Sequence, residues 1–411
     1  MQVEQSLERS TPEKTDHPYA DPKGWCGERA DPFLNRIGPP VRVQLPYGEE
    51  GWMVTRFADV RFIFSDRRFG HSLQTGRDIP RVVVVPSSRL TLIARSDPPE
   101  HNRLRRLFND SFTTARSQRR RPLVEQLALA GIDRLIANGP PGDLVRDLFD
   151  PVALAVVGDV MGVPEQDRQL IRTWTRVHQG TAVTPAEFEQ NVANACAYFE
   201  DLVRLRLEHS GDDAISDALR IRAKCGDSRS DADVASLAAA LFTTGVESIS
   251  GQLQTSTHSL LTHPIEFTRL RDHRELLPRA VEELCRYAPL VVGGARARRV
   301  IEDVEVGGVL LRAGDSVVPH AGAAGFDPEA FPDPYRLDIS RPPGPTLIFG
   351  FGAHYCQAAQ FSRMVLAAVL PLLTERLPDL RMAVPNEHLR WQKSRVRGFE
   401  ALPVSWGPSR P

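Results

Sequence analysis

From residue 99 to about residue 290, apolar residues return every three or four positions, the period of helices that bury one face. Within Arg119 to Asn138 the recurring positions are Leu123, Leu127, Ala130, Ile132, Leu135 and Ile136. The same period predicts helices over 148–161, 166–178 and 185–209, then a longest one over 231–263, and two more over 264–277 and 277–286. Asp97-Pro98-Pro99 reads as an N-cap with prolines at a helix start. The flanks differ. Residues 41–54 alternate apolar and polar around Pro46-Tyr47-Gly48, which predicts a hairpin, and a short amphipathic helix follows over 56–65. Residues 297–318 turn to strand chemistry, with a hairpin at Val304 to Val309, and residues 326–348 hold six prolines and no period. A helix over 358–373 and strand-like pieces at 380–384 and 402–406 finish the chain. The expectation is a mainly α protein with small β-sheets: a polar lead-in over 1–34, then one domain over 35–411.

Residues 69–96 lack a period and contain the run Val82-Val83-Val84-Val85. They are either a poorly packed strand or a mobile lid over a ligand site, since long irregular segments in compact domains are usually functional. Composition narrows the field further. Apolar residues make up 41% and charged residues 25% of 411, enough for a large core, and the formal net charge of -1 argues against nucleic-acid or anionic-membrane binding. The five cysteines show no CxxC pairing, which fits a reducing compartment, the cytoplasm. Nowhere do about 18 successive apolar residues occur, so no membrane span is expected.

One cysteine stands apart. Phe349-Gly350-Phe351-Gly352-Ala353-His354-Tyr355-Cys356 places a lone thiol after a two-glycine turn and just before an apolar helical run. Glycines let such a loop press flat against a large group, and a helix N-terminus favours thiolate over thiol. The alternative is a buried structural cysteine. His101 and Arg105, four apart, share one helix face and suit a pair of carboxylates, or form a solvated charged face. Glu283 and Arg286, three apart, suit a charge-assisted bidentate pair. In Phe242-Thr243-Thr244-Gly245-Val246-Glu247-Ser248 a glycine interrupts the longest helix, which implies a packing or ligand reason. The hydroxyls there either serve chemistry or bond back to helix carbonyls.

Phe-Gly-x-Gly-x-His-x-Cys is the haem-ligand loop of the cytochrome P450 family, and this sequence resembles it at all five fixed positions. The resemblance runs over roughly residues 35–406. It implies a cytochrome P450 fold, with haem b between the long central helix and the cysteine loop. Cys356 would be the thiolate ligand of the iron, with Phe349, Gly350 and Ala358 against the macrocycle. His101, Arg105, Arg298 and His354 would reach the propionates. Glu283, Arg286 and Arg336 would form the family's buried structural triad. Thr244, Gly245, Glu247 and Ser248 stand where the family has Ala-Gly-x-acid-Thr beside the oxygen site. Two departures are Ser248 for threonine, which loses the methyl that pins the rotamer, and Gln357 beside the sulfur, which could change its hydrogen bonding.

The implied activity is reductive activation of O2, with electrons from NAD(P)H through a separate ferredoxin and reductase. The cluster Arg103, Arg106, Arg116, Arg119, Arg120 and Arg121 is either a docking surface for that acidic partner or a plain solvated face. The substrate would be a small to medium apolar molecule. Its pocket would draw on Val82, Val83, Val85, Leu241, Thr244, Leu290, Val291, Val292, Arg395 and Val396, with contributions from 170–195. The tail Leu389-Arg390-Trp391 with Arg395-Val396-Arg397, together with Gly245 to Ser248, resembles bacterial members that oxidise cyclic dipeptides by coupling or hydroxylation. Hydroxylation of a macrolide, terpene or steroid-like metabolite is the alternative, and a non-catalytic haem protein a remote third. A monomer is expected.

Overall fold

The computed structural model describes residues 15–16, 36–71, 78–83, 90 and 92–407. In order the elements are β1 (Thr15–Asp16), β2 (Val41–Gln44), β3 (Gly51–Val54), α1 (Phe57–Ser65), β4 (Phe69–Gly70), α2 (Leu92–Arg95), α3 (Glu100–Asn109), α4 (Thr114–Arg119), α5 (Arg121–Asn138) and β5 (Gly142–Asp143). A second helical run follows: α6 (Asp150–Met161), α7 (Arg168–Gln179), α8 (Pro185–Glu208), α9 (Ala214–Cys225), α10 (Asp231–Leu261), α11 (Pro264–Asp272) and α12 (Leu277–Tyr287). The chain ends with β6 (Arg298–Val300), β7 (Val304–Val306), β8 (Val309–Leu311), β9 (Ser316–Pro319), α13 (Ala321–Ala324), α14 (Ala359–Arg376), β10 (Arg381–Met382) and β11 (Pro403–Ser405). The mainly α expectation with small sheets holds.

The axis of the fold is α10. Its N-terminus is a capping box, in which Ser230 accepts from the Asp233 N–H and Asp233 returns to the Ser230 N–H, both at 3.2 Å. It packs on α6, α7, α8, α9, α12 and α14, and Val234, Leu237, Phe242, Val246, Leu253 and Leu260 are all buried. The helix is long and apolar enough to span a membrane, yet 72% of its most apolar stretch is buried, as the core helix of a folded domain is. Hydrophobic residues all round a helix demand partners on every side, and here the surrounding helices supply them.

A six-stranded sheet, ordered β1-β2-β3-β9-β6-β4, flanks the bundle. β2 and β3 form the expected hairpin, with Val41 opposite Met53, and β3 pairs in parallel with β9, with Trp52 beside Val317. Thr15–Asp16 pairs in parallel with β2, so part of the expected lead-in adds a strand to the sheet. β7 and β8 make the second hairpin around Gly307 and Gly308, both at positive φ.

Two sequence expectations need correction. Asp97 does not cap α3; its carboxylate accepts from the backbone N–H of His71 at 2.9–3.0 Å and so fastens the end of β4 to the start of α3. Arg336 is exposed and is not the third member of the Glu283–Arg286 network. That place belongs to Arg341, whose Nε donates to Glu283 at 3.1 Å while its Nη atoms donate to the carbonyls of Pro332, Asp333 and Arg336. A residue five positions further on has the reach because the intervening chain turns back around it. Arg341→Leu is therefore expected to cost about 1.5–3 kcal/mol, the scale of a charged hydrogen bond, and Arg336→Leu under about 0.5 kcal/mol. Urea denaturation of the two variants reads the difference, and equal costs would restore Arg336 to the network.

Candidate active site

Cys356 sits where the loop after Leu347 turns into α14. Its backbone N–H donates to the Phe349 carbonyl at 2.7 Å, closing the loop, and the Ala358 N–H donates to its sulfur. Gly350 and Gly352 both have positive φ (74° and 71°). At Gly352 a Cβ would lie 2.6 Å from the Phe64 carbonyl, so only glycine lets the loop lie against the end of α1. The expected effect of the helix N-terminus on the thiol is overridden: burial pushes the Cys356 thiol up, against the lowering influence of the Ala358 N–H, Arg105 and Arg363.

The sulfur faces a cavity of about 390 Å³ whose walls include Ser248, Leu290, Val291, Phe349, His354 and Arg395. Its lining brings together candidates dispersed over some 150 positions of sequence. At one side three imidazoles cluster: His101 lies 4.0 Å from His354 between ring centroids, and His71 lies 4.5 Å from His354. His101 Nδ1, His71 Nδ1, His354 Nε2 and Arg298 Nε are buried and have no hydrogen-bond partner among the described residues. Such orphaned donors are rare in folded proteins and mark a missing polar ligand. Burial, then His101 and Arg298, hold His354 down at about 3, and burial lowers Arg298 to about 10. Arg298 anchors through Nη1 to the Ile63 carbonyl at 2.6 Å, and Arg105 through Nη1 to the Tyr355 carbonyl at 2.6 Å. A planar macrocycle with two carboxylates and a metal open to sulfur fits this set: orphaned nitrogen donors at one edge, a thiol beneath, a glycine turn alongside.

On α10 the acid and the alcohol part company. Neighbouring positions on a helix do not face each other. Ser248 looks into the cavity, and no other described residue hydrogen-bonds its hydroxyl. Glu247 turns to α7, where Thr175 Oγ1 donates to it at 2.7 Å, and burial raises its carboxyl above the ordinary range. Gly245 answers a packing demand, since a Cβ there would approach Val157 of α6 to 3.3 Å. Thr243, not Thr244 or Ser248, bonds back to the helix, donating to the Ala239 carbonyl at 2.9 Å. The helix is continuous α through this stretch.

The pocket prediction divides. Leu290, Val291 and Arg395 line the main cavity. Val82, Val83 and Val292 line an adjoining crevice of about 50 Å³ that shares Arg296 and Arg395 with it. Val396 is buried behind the lining, bridged to Val291, and Leu241 packs on the helical core, so neither lines the cavity. Thr244 is exposed and is not in the cavity lining, and Val85 lies outside the described residues. The basic cluster is largely spent within the fold: Arg116 pairs with Asp217 at 2.7 Å, Arg120 with Asp159 at 2.9 Å and Arg121 with Glu125 at 2.7 Å. Arg103 and Arg106 stay exposed. Gln357 leaves the sulfur alone and donates to the Arg105 carbonyl at 3.1 Å, docking the loop on α3.

Sequence reasoning missed His71, Arg296 and Arg363. Arg363, one turn into α14, donates to Tyr355 Oη at 2.9 Å, pairs with Glu282 of α12, and lies over the Phe349 ring at 4.3 Å. It splints the cysteine loop to two helices. An arginine seven residues past the cysteine was the only signal.

A helical fold that turns one cysteine towards a cavity edged by unsatisfied imidazole and guanidinium nitrogens defines a haem-binding class of protein. Comparison with known proteins completes the assignment. The profile of the cytochrome P450 family matches residues 163–377. Mycinamicin IV hydroxylase/epoxidase of Micromonospora griseorubida is 38% identical over 91% of this chain and 94% of its own length. Nocardicin C N-oxygenase of Nocardia uniformis subsp. tsuyamanensis is 38% identical over 95% of this chain and 98% of its own. A crystal structure of a cytochrome P450 with biaryl coupling reactivity superposes with a TM-score of 0.87 at 33% identity, covering 96% of this chain and 100% of that one. The chain belongs to the cytochrome P450 family. It is a bacterial-type haem-thiolate monooxygenase whose relatives work in secondary metabolism.

Proposed function

We propose that residues 35–411 form one haem domain that oxidises a small to medium secondary metabolite in the cavity above Cys356. The observation that carries this reading is the convergence on one cavity of Cys356, the orphaned nitrogens of His71, His354 and Arg298, and the walls at Leu290 and Val291, with His101 packed behind His354. In it Cys356 ligates iron, Phe349, Gly350 and Ala358 lie along the macrocycle, and His101, Arg105, Arg298 and His354 hold the propionates, with His71 added. When bound, a cysteinate-ligated haem supplies oxygen activation, its thiolate pushing electron density towards the metal.

The remaining work falls to the chain's own side chains. Ser248 presents a hydroxyl to the cavity, and Glu247, kept protonated to higher pH by burial, stores a proton one residue away. Thr175 fixes the carboxyl from α7. Thr175 and Glu247 therefore form a proton store on the α7 side, and Ser248 is the hydroxyl presented to the cavity. Ser248→Ala should raise the share of electrons lost as peroxide several-fold at unchanged haem content, measured as peroxide formed per NAD(P)H consumed. An unchanged ratio would remove Ser248 from proton delivery.

Electrons are supplied by a ferredoxin and its reductase, with Arg103 and Arg106 on the docking face, and the protein works in the cytoplasm as a monomer. Hydroxylation or a related oxygen insertion is the reaction that the names of its relatives favour. The cyclic dipeptide reading rests on the 389–397 stretch and Gly245 to Ser248, and cyclic dipeptides figure in none of the three relatives' names. Optical titration of the haem-loaded protein with cyclic dipeptides, macrolides and terpenes separates the two substrate classes by which of them shifts the Soret band.

A further inference from the structure

We infer that the substrate carries a carboxylate, and that Arg395, helped by Arg296, binds it in the wall of the cavity opposite in chemistry to the apolar one. This rests on the reading of the cavity as the haem and substrate site. Arg395 lines both the main cavity and the adjoining crevice, and so does Arg296. Among the described residues neither lining contains an aspartate or glutamate. Arg395 donates no side-chain hydrogen bond and makes no ion pair among the described residues. A guanidinium held inside a protein without an acid is costly, because desolvation of a charge is offset only by a partner.

Its placement is fixed rather than accidental. The Arg395 N–H donates to the Gln179 carbonyl at 2.9 Å, and the Val292 N–H donates to the Arg395 carbonyl at 3.0 Å. Val396 pairs with Val291, and the Arg397 carbonyl crowds Gly251 of α10 so closely that a Cβ there could not be accommodated. These contacts fix the backbone from which the guanidinium reaches the cavity wall. At the end of α7, His178 stacks on Phe188 with centroids 5.5 Å apart, and its Nδ1 is buried with no partner. Burial, then Arg395 and Arg296, push its imidazole down to about 4, so this end of α7 adds no positive charge beside the two guanidinium groups near neutral pH.

The propionates do not account for this group. They have their own set in His101, His354 and Arg298, which is anchored on α1, α3 and the cysteine loop. Arg395 stands on the wall built from the end of α7 and from α10. A bidentate guanidinium matches a carboxylate better than a neutral carbonyl, and Arg296 on the same wall adds to the positive field. In an otherwise apolar cavity the acid would also fix which end of the substrate approaches the oxidising centre.

The test uses ω-(imidazol-1-yl)alkanoic acids of graded chain length and their methyl esters, titrated into the haem-loaded protein and read as the nitrogen-ligand red shift of the Soret band. 1-Phenylimidazole serves as the reference, since its shift needs only an accessible haem. At the chain length that spans from iron to Arg395, the acid should bind about tenfold or more tightly than its ester. Arg395→Leu should equalise the pair, and Arg395→Lys should keep part of the preference, with 1-phenylimidazole unaffected in both. Equal binding of acid and ester at every length, or a preference that survives in Arg395→Leu, overturns the carboxylate subsite while leaving the haem reading intact. No shift with 1-phenylimidazole overturns the haem reading itself. Should Arg395→Leu fail to retain haem, the acid-to-ester ratio in the unaltered protein and in Arg395→Lys decides.

Discussion

Cys356→Ala is expected to abolish the thiolate-type Soret shift of the reduced carbon monoxide complex and to reduce turnover to background. The reason is geometric. Its sulfur is the one among the described cysteines that faces the cavity: Cys196 and Cys285 are buried in the helical core, and Cys225 is exposed at the end of α9. The loop that carries it is over-determined by the bond to Phe349, by the Arg363 splint and by the two glycines. The alanine variant should therefore keep its fold, and circular dichroism should confirm that while the spectrum changes. Cys356→His offers a sharper contrast, because an imidazole ligand would retain haem with a different carbon monoxide spectrum. A thiolate-type shift that persists in Cys356→Ala would move the ligand elsewhere and sink the assignment.

The second large effect is on stability. Glu283 and Arg286 are 2% and 1% exposed at their side chains and are joined by two bonds of 2.7 and 2.8 Å. Arg286 also donates to the carbonyls of Gly325 and Pro334, and Glu283 accepts from the Asp338 N–H. The pair is thus the clasp that fixes residues 325–341, the proline-rich approach to the cysteine loop. Removing one partner leaves the other charge buried and uncompensated, which costs about 3–5 kcal/mol. Glu283→Ala should show that loss in urea denaturation and should release haem at lower denaturant than the unaltered protein does. A cost under about 1 kcal/mol would mean that the bundle holds residues 325–341 without the clasp.

How far the sequence foretold these sites depends on how local each one is. The cysteine loop, the hairpins at 41–54 and 304–309 and the helix over 231–261 each follow from neighbours in sequence: glycines at positive φ, alternation, a capping box. Helix α9 is marked in sequence only at its ends, where Asp213 caps it by accepting from the Ser216 N–H at 2.8 Å and Gly226 ends it in the left-handed conformation. Long-range choices were not legible. Whether Arg336 or Arg341 meets Glu283 depends on how an irregular, proline-rich segment folds back, and no period governs that. Likewise the basic run 116–121 reads as either a docking surface or a solvated face because its partners, Asp159 and Asp217, lie on other helices. Arg296 and His178 gave no sign in sequence, since burial of a charge shows only when the walls are assembled.

The parallel pairing of β3 with β9 has a consequence for how the protein comes into being. Trp52 must wait for Val317, its neighbour across the sheet, and the cavity wall at Arg395 arrives later still. At ordinary ribosomal speeds of about 5–20 residues per second, the first hairpin spends tens of seconds without its partner strand. Cofactor capture must then be one of the last events in biogenesis, because a cavity walled by residues from Phe64 to Arg395 cannot close on a nascent chain. Haem supply during expression should accordingly limit the yield of loaded protein at the end of synthesis, not at its start.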